Sequence, residues 1–162
     1  MECPRYRTDQ EIQEVVKRFG QCEFKLEEFT HARHLTVAAW YLSEFNPEES
    51  LSRMRIALER FIQHHGKQGY HETITRFWME LIGSFLQCAP EGCPFRETVN
   101  EVIVRYGTKE ILFEYYTWER VLSDIARREW IEPDLKSIPS IHAPPFSTKA
   151  SRRENPIIDL LR

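Results

Sequence analysis

Glycine-rich loops that could cradle a phosphate are missing from this chain. It has only six glycines in 162 residues, and it contains no G-x-G-x-x-G, no P-loop and no G-x-S-x-G. Dinucleotide-dependent, kinase-like and nucleophile-elbow chemistry are therefore set aside. A long apolar run is missing too, whereas a membrane-spanning helix needs about 20 such residues, so no membrane partner is expected. Basic residues occur in nothing longer than the pairs Arg127-Arg128 and Arg152-Arg153, and the formal net charge is -3. Nucleic acid is not an expected partner. Met1-Glu2-Cys3-Pro4-Arg5 lacks the apolar stretch of a signal peptide, so a cytoplasmic location is expected. The four cysteines, Cys3, Cys22, Cys88 and Cys93, are then expected to be reduced. Cys88 and Cys93 flank the turn Ala89-Pro90-Glu91-Gly92, a wider spacing than a zinc knuckle uses. No second pair answers them, and they read as ordinary thiols. Period-two alternation and hairpin signals are also absent, which argues against a sheet.

Apolar and aromatic residues, by contrast, are plentiful. Hydrophobic residues make up 41% of the chain, with ten Phe, six Tyr and four Trp, enough for the core of one domain of ordinary size. Helical periodicity predicts an all-α fold, a single bundle of about five to seven helices over residues 1–132. Thr8-Asp9-Gln10-Glu11 reads as a capping box, and Ile12, Val15, Val16 and Phe19 give the stripe of a first helix that Gly20 stops. A second helix is predicted from Thr30 to about Phe45. Asn46-Pro47-Glu48-Glu49 starts a third, which Gly66 ends. A fourth runs from about Tyr70 to Gln87, and a fifth from Phe95 to Tyr106. A further helical stretch, kinked or straight, is expected from Thr108 to Trp130. Pro133, Pro139, Pro144, Pro145 and Pro156 then preclude a long helix, so residues 133–162 read as an extended tail. Its apolar end, Ile157 to Leu161, suits docking on this chain or on a second copy, and a homodimer is compatible with that reading.

Three histidines form the candidate site. At about 100° per residue, His31 falls on the row of Leu35, Ala38 and Leu42, and His34 at the edge of the same stripe. Residues three apart are neighbours, so one ion could bridge the pair. His71 falls on the row of Trp78 and Ile82 in the fourth helix. Short connections make consecutive helices antiparallel, so the second and fourth run parallel and their first turns meet at one pole. His64 and His65, at the end of the third helix, arrive there too. A helix N-terminus disfavours imidazolium, and neutral imidazole is the form that ligates metals. His31, His34 and His71 are thus the expected metal ligands, suited to a transition metal such as zinc or iron with a position open for water. Glu72 and Tyr70 are the expected catalytic base or supporting groups. Glu28, three residues before His31, is a further carboxylate, but a di-iron site would need a second Glu-x-x-His element and none is present.

Two segments carry a resemblance: Phe29-Thr30-His31-Ala32-Arg33-His34-Leu35 and Tyr70-His71-Glu72-Thr73-Ile74-Thr75-Arg76-Phe77-Trp78. They resemble a group of small bacterial proteins with F-T-H-x-x-H-L and Y-H-E-T-x-T-R-x-W helices. The likeness extends from the first helix to about Leu135. It implies one helical domain and points at His31, His34, Tyr70, His71 and Glu72, but implies no reaction.

Three functions compete. One is a metal-binding protein or metal-dependent enzyme acting on a small molecule through these histidines. Another is a non-catalytic module for a small molecule, with haem as a special case because paired histidines can ligate its iron. In the third, an interaction protein, the histidines form a polar network in the core.

Overall fold

Thr8 opens the first helix as its residue type demands. Its hydroxyl accepts the Glu11 N–H, and the Glu11 carboxylate accepts the Thr8 N–H in return, closing the capping box at the start of α1 (Asp9–Gly20). The structure is a computed structural model and describes residues 5–139. After α1 come α2 (His31–Glu44), α3 (Pro47–His64), α4 (Glu72–Gln87) and α5 (Phe95–Tyr106). Three short helices then follow, α6 (Leu112–Tyr115), α7 (Trp118–Val121) and α8 (Asp124–Arg128). Single 3₁₀ turns occupy Leu26–Glu28 and Lys109–Ile111. Among the described residues there is no strand, and no helix is long and apolar enough to cross a membrane.

Several helix ends follow residue chemistry, although Thr30, at the start of α2, makes no side-chain cap. Asn46 accepts the Glu49 N–H and Pro47 takes the first turn of α3. At its other end Gly66 has φ 64°, and the Lys67 N–H donates back to Ile62 O, the six-residue closure of a Schellman motif. The same closure ends α1, with Glu23 N–H donating to Arg18 O, but its left-handed residue is Cys22 at φ 56°. Gly20, expected to stop α1, is instead its last helical residue.

Helix α2 is the hub and packs against α1, α3, α4 and α5. Every residue from Leu35 to Tyr41 is buried, so the stripe expected on one face widens to the whole circumference. Ala38 and Ala39 keep the helix slim enough for four neighbours. Ser50 at the start of α3 donates to Tyr41 O and fixes the turn between α2 and α3.

A second, smaller core sits on the far side of α4. Phe77 and Leu81 point into it, meeting Leu112, Tyr115, Tyr116 and Val121, while Met79 and Ile82 face the main core around α2. This second core explains why the stretch from Thr108 to Trp130 breaks into three helices. Tyr116 is extended (φ -124°, ψ 140°), wholly buried, and donates its hydroxyl to Ile131 O. One straight helix could not turn Tyr115, Tyr116 and Val121 toward the same core. The breaks are capped: Asp134 accepts from both the backbone N–H and the hydroxyl of Thr117, and the Ser123 hydroxyl accepts the Ala126 N–H.

The beginning of the expected tail, residues 133–139, lies against the bundle. Leu135 N–H donates to Tyr115 O, the Ser84 hydroxyl donates to Pro139 O, and Ile138 packs on the second core. The apolar end from Ile157 to Leu161 lies outside the described residues.

Candidate functional site

The seam between the two cores holds a cavity of about 440 Å³, within the size range of small-molecule sites. It is walled by the first turns of α2 and α4, the second half of α3, and the segment that opens α6. The parallel arrangement of the second and fourth helices expected from the short connections is thus realised. His31, His34 and His71 all line this space, together with Tyr70 and Lys109. The rest of the wall is mostly apolar, including Leu35, Ala38, Met54, Leu58, Ile74 and Trp78.

The three imidazoles are not arranged as a metal centre. His71 is not inside α4, as its periodicity suggested, but is the residue that caps it. Its Nδ1 accepts the Ile74 N–H at 3.3 Å, and its Nε2 donates to Val121 O at 2.9 Å. Both ring nitrogens are spent, and the two bonds fix one neutral tautomer. Burial pushes its pKa below the usual histidine value, which keeps the cap neutral. His31 donates Nε2–H to Tyr106 O at 3.0 Å, tying α2 to the end of α5, and its ring meets Trp78 edge-on at 4.6 Å. Burial lowers its pKa, and the Lys109 ammonium lowers it further. Only His31 Nδ1 and the His34 ring therefore remain for a metal, short of the three protein ligands of a usual catalytic zinc site. Among the described residues no group of three or more His, Cys, Asp or Glu is placed to hold an ion.

His34 is the exception among the histidines. Its ring packs on Phe29, 4.2 Å between centroids, deep enough that burial pushes its pKa down to about 3, with His31 and Lys109 adding to the effect. No hydrogen bond to another described residue supports either ring nitrogen. No buried side-chain nitrogen or oxygen is left without a partner in the described structure, so the ring nitrogens of His34 open onto the cavity it lines. A neutral imidazole offers one donor and one acceptor there.

Glu72 and Tyr70 differ from their expected roles. The Glu72 carboxylate is gripped by Arg55, Nε to Oε2 at 2.9 Å and Nη2 to Oε1 at 2.6 Å, and it accepts the Tyr70 hydroxyl at 2.7 Å. Arg55 holds its pKa below the ordinary glutamate value. A carboxylate so stabilised in its charged form is a poor proton acceptor. It faces a separate charged groove with Arg76, Arg127 and Glu129, and is absent from the cavity wall. Tyr70 stands between the two spaces and lines both. Its pKa is raised by burial and by the bond to Glu72. Glu28 caps its own 3₁₀ turn by accepting the Lys25 N–H at 2.8 Å. His65 donates to or accepts from the backbone of Phe24 through Nε2; because that partner is a carbonyl, the imidazole is the donor. Neither His64 nor His65 lines the cavity.

Sequence reasoning missed Lys109, Leu112 and Phe113. They reach the wall because the chain after the expected break at Tyr106 folds back over α4, and helical periodicity does not show where that segment packs. Comparison with protein-family models, with curated proteins and with solved structures found no match.

Proposed function

We propose that the chain is a binding module for a small, largely apolar molecule held in the seam cavity, with the His34 imidazole as its polar anchor. The observation that carries this reading is an open, mostly apolar cavity with one half-buried imidazole whose nitrogens have no protein partner among the described residues. Apolar walls supply affinity through desolvation, and a few convergent polar groups set orientation. Met54 from α3 and Met79 from α4 suit adjustable packing, because the thioether chain is unbranched and flexible. His71 and His31 act as positioning residues that hold the walls together.

A metal-dependent activity through the same histidines is the lesser reading. It requires His31 to serve through Nδ1 and His71 to give up a helix cap.

The test is a fluorescence titration with the neutral dye N-phenyl-1-naphthylamine, with zinc ion alone titrated in parallel. The expected result is saturable dye binding at one site per chain, abolished by Leu58→Trp, which fills the cavity, and weakened by the milder Leu58→Phe. Thermal unfolding verifies that each variant folds. Absence of saturable binding by the folded wild-type chain contradicts the proposal. Stoichiometric zinc uptake lost in His34→Ala would favour the metal reading instead.

A further inference from the structure

The charge around the cavity narrows the class of ligand. No Asp or Glu lines it, and the one formally charged residue in its wall is Lys109. None of the ion pairs among the described residues involves Lys109. The side chain is exposed at the rim. It is near enough to both imidazoles that its positive charge disfavours their protonation. The neighbouring Glu110 acts on His31 in the opposite sense, but it is exposed and outside the wall. The cavity wall thus carries an ammonium and the imidazoles of His31 and His34, the ammonium acting electrostatically on both rings. Ala38, Met54, Leu58 and Met79 contribute apolar surface to the same wall.

Resting on the binding-module reading above, we propose that the natural ligand is an apolar monocarboxylic acid, its carboxylate at Lys109 and His34 and its hydrocarbon body between α2, α3 and α4. A carboxylate supplies the negative charge that this wall lacks, and it can accept both a charge-assisted bond from the ammonium and an N–H bond from the imidazole. A cationic head is disfavoured by Lys109. A neutral head draws no charge-assisted bond from the ammonium. Phe113, also in the wall, stacks on Trp118, 4.9 Å between centroids.

The experiment measures displacement of N-phenyl-1-naphthylamine from the full chain by octanoate, octanamide and octylamine, which share a body and differ in the head. Octanoate is expected to compete at least five-fold more strongly than octanamide, with octylamine weakest. Raising the salt concentration should narrow the gap between acid and amide, since the ion pair at the rim is screened. Lys109→Gln should bring octanoate and octanamide together, and Lys109→Glu should invert the order of acid and amine. Lys109 is exposed, so neither change threatens the fold. Equal displacement by octanoate and octanamide in the wild-type chain would overturn the carboxylate assignment while leaving the binding module intact. Strongest displacement by octylamine would overturn it as well. Failure of the dye itself to bind would sink the binding-module reading and this inference with it.

Discussion

The first turn of α4 separates two polar regions with opposite habits. On its outer side, Glu72, Arg55 and Tyr70 satisfy one another with three hydrogen bonds of 2.9 Å or less. On its inner side, the imidazole of His34 packs on Phe29 and lines the cavity with no hydrogen-bonding partner among the described residues. Both regions are rich in the residue types of active sites, but Glu72 and Tyr70 are spent on protein partners whereas the His34 ring has none among the described residues. Polar groups satisfied by the protein itself hold a fold together, whereas polar groups left facing a cavity can be satisfied by a ligand.

The largest effect that separates the two sides is acid sensitivity. His34 has an ordinary unfolded value of 6.5 and is pushed down to about 3 in the folded chain. The unfolded state therefore takes up a proton that the folded state refuses. Stability from this residue is fully present above about pH 6.5 and is lost as the pH falls toward 3. His31 and His71, also lowered, add in the same direction. At about 1.36 kcal/mol per pH unit between 6.5 and 4, His34 alone accounts for a loss of about 3 kcal/mol over that range. Urea unfolding of the wild-type chain and of His34→Leu at pH 7 and pH 4 should show the difference between the two pH values shrinking by that amount in the variant. An unchanged difference would mean that His34 is not buried as described.

Removing the cap of α4 should come next. His71→Ala deletes the bond from Ile74 N–H and leaves Val121 O without its donor, at an expected cost of about 2–3 kcal/mol. His71→Asn retains a capping acceptor and should recover part of the loss. A metal ligand would show no such recovery in an apo preparation.

The outer knot should be cheaper to break. The Arg55 side chain is 37% exposed and that of Glu72 13%, so solvent offsets part of the pair's loss. Arg55→Met is expected to destabilise by about 1–2 kcal/mol, with affinity for N-phenyl-1-naphthylamine unchanged within about two-fold. A large loss of binding would join the two regions into one site.

How legible these two regions are from sequence depends on how local their causes are. The cap at Thr8, the start of α3 at Asn46-Pro47 and the Gly66 stop are set by a few neighbouring residues, and they appear where expected. The convergence of His31, His34 and His71 on one space follows from short loops alone. What the chain does not announce is which atoms of those rings are spent. His71 takes extended backbone angles and caps α4 because Val121, 50 positions away, offers its carbonyl, and periodicity carries no trace of that carbonyl. Glu72 is claimed by Arg55 across the gap between α3 and α4, although on its own helix it reads as a partner for Arg76. In the structure Arg76 pairs with Glu80 and lies over the Trp130 ring. Lys109 and Phe113 depend on how the segment after α5 packs, and the burial of Tyr115 and Tyr116 in the second core lays it against α4.

The smallest expected effect lies at the rim. Trp118 is 62% exposed and stacks only on Phe113, so Trp118→Ala should change stability by no more than about 0.5 kcal/mol. The same change should measurably speed dye dissociation in stopped-flow fluorescence if the aromatic pair covers the way out of the cavity.

The most direct measurement is the ¹⁵N NMR signature of the histidine rings while N-phenyl-1-naphthylamine is titrated into the full chain. The ring resonances of His34 should shift saturably with the dye, and those of His71, locked between Ile74 and Val121, should stay in place. A titration in which dye binds while the His34 ring is unmoved would contradict the assignment of this imidazole as the anchor of the site.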